Sequence, residues 1–153
     1  MTPELTFEGA LKLAIVAEID AYNLYNDTSE KIKNPASKEM LKELAQQEMG
    51  HRKSLEKVLK NRDYKMLGKS IPKASPGVAD FLETTKLTEQ ASIQEVMIFA
   101  MNEEQKAYNF YMALKDQFAG TEMADLFDRL AMEENGHKIK LEEEYEQHFL
   151  SEN

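Results

Sequence analysis

Residues 48–56 read EMGHRKSLE, and residues 134–142 read ENGHKIKLE, the same motif 86 positions later. The offset extends toward the N-terminus without a gap. Ala21-Tyr22-Asn23-Leu24-Tyr25 returns as Ala107-Tyr108-Asn109-Phe110-Tyr111, and Leu44-Ala45 returns as Leu130-Ala131. Self-similarity at a fixed offset marks each half of the chain as one copy of a structural unit. In the first copy Leu41, Leu44, Leu55 and Val58 follow helical 3-4 spacing. Glu48 and His51 stand in that same face, where the rhythm asks for leucine.

Working outward, six glycines and four prolines punctuate the 153 residues. The first helix is predicted over about 5–33, where Asn34-Pro35 ends it. Asn34 is expected to cap the next helix, with Pro35 at its first position, and that helix runs to about 59. Residues 60–87 hold Gly68, Pro72, Pro76 and Gly77 and read as a long connection, with a short helix near 78–84. A third helix is expected to begin at Thr88 or Ser92, the latter forming a capping-box pattern with Glu95, and to stop before Gly120. Thr121 is expected to cap a fourth helix reaching about 149. No sustained period-2 alternation signals a strand. The pattern predicts an all-α chain of one domain over 1–153: a four-helix bundle of two helical hairpins, 5–59 and 88–149, joined by one long crossover, 60–87.

Composition narrows the chemistry. The chain has no cysteine, which excludes disulfides, zinc-thiolate sites and iron–sulfur clusters within it. The formal charge of −9 argues against nucleic acid or an anionic membrane as partner. No apolar run reaches membrane-spanning length, and MTPELTFEG lacks the basic and apolar regions of a signal peptide, so a cytoplasmic location is expected.

The offset also sorts the acidic residues. Glu18 maps to Glu104, whereas Glu103 maps to Ala17; Glu48 maps to Glu134 and His51 to His137. His148 would map to Arg62 and reads as a surface residue, and the run Glu142-Glu143-Glu144 reads as a solvated helix face. Glu18 lies mid-stripe between Ala14 and Ala21, and Glu104 between Ala100 and Ala107. No lysine or arginine falls near them on these stripes. Burying an unpaired carboxylate costs several kcal/mol even after relaxation. Four carboxylates together call for cations, and two divalent ions balance a charge of −4. One Glu from each of two helices, with Glu-x-x-His from each of the other two, is the pattern of a carboxylate-bridged dinuclear site. Ligands of oxygen and nitrogen suit iron or manganese, and zinc also fits. Tyr22, Tyr25, Tyr108 and Tyr111 follow Glu18 and Glu104 by four and seven residues. Their hydroxyls are candidates to hydrogen-bond the carboxylates, Tyr25 and Tyr111 foremost.

At these residues the sequence resembles the ferritin-like superfamily, most closely its rubrerythrin branch, over nearly the whole chain. The resemblance implies two irons held by Glu18, Glu48, His51, Glu104, Glu134 and His137. It further implies reduction of hydrogen peroxide or oxygen, an external electron donor and a homodimer. Two departures stand out. Rubrerythrins usually carry a rubredoxin-like domain with four cysteines, so electrons here are expected from a separate protein. They also usually carry a further glutamate three residues after the third-helix ligand, where this chain has Ala107. The symmetric six-residue set is also similar to bacterioferritin-type ferroxidase centres. Ferroxidase or iron handling is therefore the alternative reading, and a metal-stabilised structural module a third.

Overall fold

The computed structural model describes residues 5–61 and 87–150. They form four long helices: α1, Phe7–Lys31; α2, Pro35–Asn61; α3, Ile93–Gln117; and α4, Glu122–Tyr145. Three of the four helices start where a side chain satisfies a free N–H group. Thr6 accepts from Gly9 N at 2.9 Å, and Asn34 Oδ1 accepts from Ser37 N at 3.1 Å just ahead of Pro35. Ser92 and Glu95 close a reciprocal capping box on α3. Thr121 departs from expectation. It precedes α4 but makes no side-chain cap, because its hydroxyl instead donates to the Phe118 carbonyl at 2.6 Å. Gly120, at φ +83°, supplies the left-handed turn that brings the chain back there. At the other end α4 gives way at Glu146–Leu150 to a π-helical turn, with the Phe149 ring 5.1 Å from that of Tyr145. The short helix predicted at 78–84 lies outside the described residues.

Helices α1 and α2 pack along their length as one hairpin, and α3 and α4 as another. The apolar faces merge into two clusters rather than one. The first gathers Tyr25, Leu41, Leu44, Val96, Met97 and Leu141. The second gathers Leu11, Leu55, Val58, Leu114, Phe127 and Leu130. Reading which half of each helix enters which cluster fixes the directions. Helices α1 and α4 run one way, and α2 and α3 the other. The end of α2 and the start of α3 thus lie at opposite ends of the bundle, the topology of a crossover. Among the described residues, no helix is long and apolar enough to cross a membrane.

Capping supplies a direct check. Ser92→Ala removes the hydroxyl that accepts from Glu95 N, leaving only the half of the box that the Ser92 backbone N–H donates, and should cost about 1 kcal/mol. Thr121→Ala should cost under about 0.5 kcal/mol, because no cap is lost. Urea midpoints of the two variants, measured side by side, test this; equal shifts would contradict the difference in their hydrogen bonding.

Candidate metal centre

The layer between the two apolar clusters is polar. Each helix passes through it where its apolar stripe is interrupted: Glu18 on α1, Glu48 and His51 on α2, Glu104 on α3, Glu134 and His137 on α4. Glu18, Glu48, Glu104 and Glu134 are each no more than 2% exposed. Ligand atoms of Glu18, Glu48, His51 and Glu134 lie within 4.8 Å of one another, as do those of Glu48, Glu104, Glu134 and His137. The two sets share Glu48 and Glu134, so cations held by both sets would have a pair of carboxylates in common. The imidazoles of His51 and His137 stack with centroids 5.3 Å apart.

Two tyrosines tie the hairpins together at this level. Tyr25 of α1 donates to Glu104 Oε1 of α3 at 3.2 Å, and Tyr111 of α3 donates to Glu18 Oε1 of α1 at 2.6 Å. Each repeat thus bonds the carboxylate of the other. Tyr22 and Tyr108 instead pack, half-buried, against the two apolar clusters. Glu103 faces outward enough to pair with Lys106 at 3.0 Å.

The sequence reading missed Glu133, whose Oε2 lies 3.2 Å from His51 Nε2. Its cue was a position four residues before His137 on the same helix; the repeat pointed away, because its counterpart is Gln47. A second difference concerns the acidic run. Glu143 is exposed, but Glu142 is buried rather than solvated. It sits one turn beyond buried Lys138, on a face shared with Asn135 and Tyr145. Lys138 itself donates to Gln105 Oε1 across the α3–α4 seam. His148 is exposed, as expected.

The electrostatics identify what the layer is built to hold. Glu18 Oε2, Glu48 Oε1, Glu104 Oε2, Glu134 Oε2 and His137 Nδ1 are buried without a hydrogen-bond partner, while His51 Nδ1 and Glu134 Oε1 face each other at 2.7 Å. Such groups are costly in a core unless something else satisfies them. In the protein alone, burial and the Glu104 charge push the Glu48 and Glu134 carboxyls well above their ordinary range. Burial also works to raise Glu18 and Glu104, but it is overcome. Glu48 and His51 hold Glu18 below its usual value, and Glu134 and His137 do the same for Glu104. Burial disfavours the charged His51 ring, yet the surrounding carboxylates, Glu133 first, hold it protonated far above the usual histidine range. The two shared carboxyls and an imidazole therefore carry protons where cations would sit. The donor set of four carboxylates and two imidazoles fits two divalent ions of the iron, manganese or zinc type.

A cavity of about 300 Å³ opens between α1 and α3 and reaches this layer. Ala17, Ala21, Leu24, Ala107 and Phe110 line it, and Glu18, Glu48 and Tyr111 stand among its walls.

The proton load fixes how the metal-free protein responds to pH. Glu48 and Glu134 bind protons more tightly folded than unfolded, so their contribution is full below the ordinary value of 4.5 and is lost as pH rises through their raised values. His51 adds the same trend above its ordinary 6.5. Glu18 and Glu104 contribute the opposite way, with stability lost only as pH falls below 4.5. The metal-free protein should therefore melt several degrees higher at about pH 5.5 than at about pH 8. Divalent metal displaces these protons, so its stabilising effect should be larger at the higher pH. Thermal melts with and without metal at both values check this, and a metal-free protein more stable at the higher pH would contradict it.

The comparisons with known proteins agree with this geometry. A hypothetical protein from Pyrococcus furiosus has a similar structure, with TM-score 0.57 and 31% identity over 92% of this chain and 89% of that one. A Thermotoga maritima protein described as ferritin-like and diiron-carboxylate shares the fold, with TM-score 0.60 and 20% identity over 96% of this chain and 99% of that one. No curated protein matches the sequence significantly. The family model for rubrerythrin matches residues 9–153, spanning both hairpins and all six residues of the polar layer, and the chain belongs to the rubrerythrin family.

Proposed function

We propose that this protein is a di-iron oxidoreductase that reduces hydrogen peroxide, or oxygen, with electrons from a separate donor protein. The observation that carries the reading is the pair of overlapping ligand sets sharing Glu48 and Glu134 beside an open cavity. The six residues would hold two ferrous ions, which would supply the two electrons that, with two protons, take peroxide to two waters.

The chain's own residues have definable tasks. Glu48 and Glu134 would be shared by the two ions, while Glu18 with His51 would hold one and Glu104 with His137 the other. Tyr25 and Tyr111 keep their protons, because burial and then the charges of Glu104 and Glu18 push their hydroxyls well above the usual range. They act as fixed donors that aim the terminal carboxylates. Three alanines, Leu24 and Phe110 give the cavity its apolar wall, and its size admits a small neutral molecule to Glu18 and Glu48. Exposed Asp20 and Lys106 stand at its mouth. With no cysteine in the chain, the centre is reset from outside it, and a homodimer is the proposed assembly.

One observation favours a second reading, ferroxidase or iron handling. Ala107 lines the cavity with a methyl group, where a further carboxylate would make the two positions unequal in ligand number. Metal analysis and stopped-flow spectroscopy separate the readings. The iron-loaded, reduced protein should hold two irons per chain and be oxidised rapidly and stoichiometrically by peroxide. A diferrous spectrum unchanged for minutes would end the peroxidase reading. Uptake well beyond two irons per chain would favour iron handling.

The cavity gives an independent variant. Ala107→Leu narrows it without touching a ligand. It should slow oxidation by peroxide several-fold while two irons still bind; an unaltered rate would show that the oxidant arrives by another path.

A further inference from the structure

We infer that Glu133 makes the two cation positions unequal, so that the position served by Glu18 and His51 binds its cation more tightly than the one served by Glu104 and His137. The inference rests on the metal centre and does not depend on which oxidant is reduced. Its basis is the orientation of one ring. His51 Nδ1 faces the carboxylate layer, 2.7 Å from Glu134 Oε1, 3.5 Å from Glu18 Oε1 and 3.7 Å from Glu48 Oε2. Its Nε2 faces the other way, 3.2 Å from Glu133 Oε2. A ring that ligates through Nδ1 is neutral and keeps its one proton on Nε2, where Glu133 is placed to accept it. An anionic acceptor behind the ring locks that tautomer, fixes the ring plane and raises the basicity of the ligating nitrogen.

His137 is placed differently. Its ion pairs all run through Nδ1, to Glu104 Oε2 at 3.6 Å and to Glu48 and Glu134 at 3.9 Å. The residue that the 86-residue offset puts in the role of Glu133 is Gln47, which is neutral and exposed. Six ligands obey the internal symmetry, and the carboxylate behind one imidazole breaks it. Glu133 is thus a positioning residue, acting on the cation through His51.

Titration of the metal-free chain with cobalt(II), followed by calorimetry and visible absorption, tests this with a readout independent of turnover. The native chain should take up two ions in separate steps, at least about tenfold apart. Glu133→Gln should weaken the tighter step by about 10- to 100-fold and leave the weaker one in place. Gln47→Glu, which puts a carboxylate at the repeat-equivalent position, should tighten the weaker step. Two ions bound with one affinity in the native chain, or variants that bind as it does, would overturn the inference. Should Glu133→Gln fail to fold, Gln47→Glu decides alone, and an unchanged weaker step overturns the inference. A native chain that binds no cobalt would remove the metal centre itself, and this inference with it, an outcome distinct from loss of the asymmetry.

Discussion

Four carboxylates within one layer of a helical core set the terms for everything else in this molecule. A fully buried leucine adds roughly 1.5–3 kcal/mol to stability. A buried, unpaired carboxylate subtracts several, and the net stability of a domain is only about 5–15 kcal/mol. Glu18, Glu48, Glu104 and Glu134, all essentially inaccessible, could by themselves consume most of that margin. The protein alone relieves the strain with protons, held on the two shared carboxyls and on His51. Cations relieve it more completely, because each satisfies several oxygens at once. The charge balance of this layer therefore enters directly into the stability of the fold.

The placement of the layer follows from the same constraint. It lies at mid-helix on all four helices, with an apolar cluster on either side. Those clusters bury the leucines and aromatics that offset the polar layer and keep bulk water from it. The tyrosine bonds cross between hairpins, from α1 to Glu104 and from α3 to Glu18. They hold the terminal carboxylates in position with no cation present, which is the preorganisation that a metal site requires. The opening between α1 and α3 is tolerated because small side chains, Ala17, Ala21 and Ala107, leave space there without exposing the leucine clusters.

Much of this was legible in the sequence, and the reason is redundancy. The helices carried matching signals of stripe, cap and breaker, as at Asn34-Pro35 and Ser92–Glu95. The repeat isolated Glu18 and Glu104 among many acidic residues, and the structure brings both into the polar layer with Glu48, His51, Glu134 and His137. What escaped the reading lay where redundancy fails. The Thr121 hydroxyl had two possible uses, and the Phe118 carbonyl, which also accepts from Thr121 N, won it. Glu142 looked solvated because three glutamates run together, yet buried Lys138 one turn earlier shares its face. Glu133 was hidden because its repeat counterpart is a neutral glutamine, so the argument that found the six could not find the seventh.

That last failure carries a physical lesson about duplicated sites. Duplication delivers two chemically equal positions, and equality suits a centre that only stores charge. A centre that passes electrons to a substrate in sequence gains from inequality, because the two ions then differ in affinity and in potential. The direct ligands are hard to vary, since each balances charge in a layer with none to spare. A residue one bond removed, partly exposed and touching only the back of an imidazole, is free to change. Glu133 occupies such a place, with its side chain 23% exposed and its carboxylate against His51. The repeat symmetry therefore survives in the six residues of the polar layer, and the carboxylate behind one imidazole, with a neutral glutamine at its counterpart, is where the two halves differ.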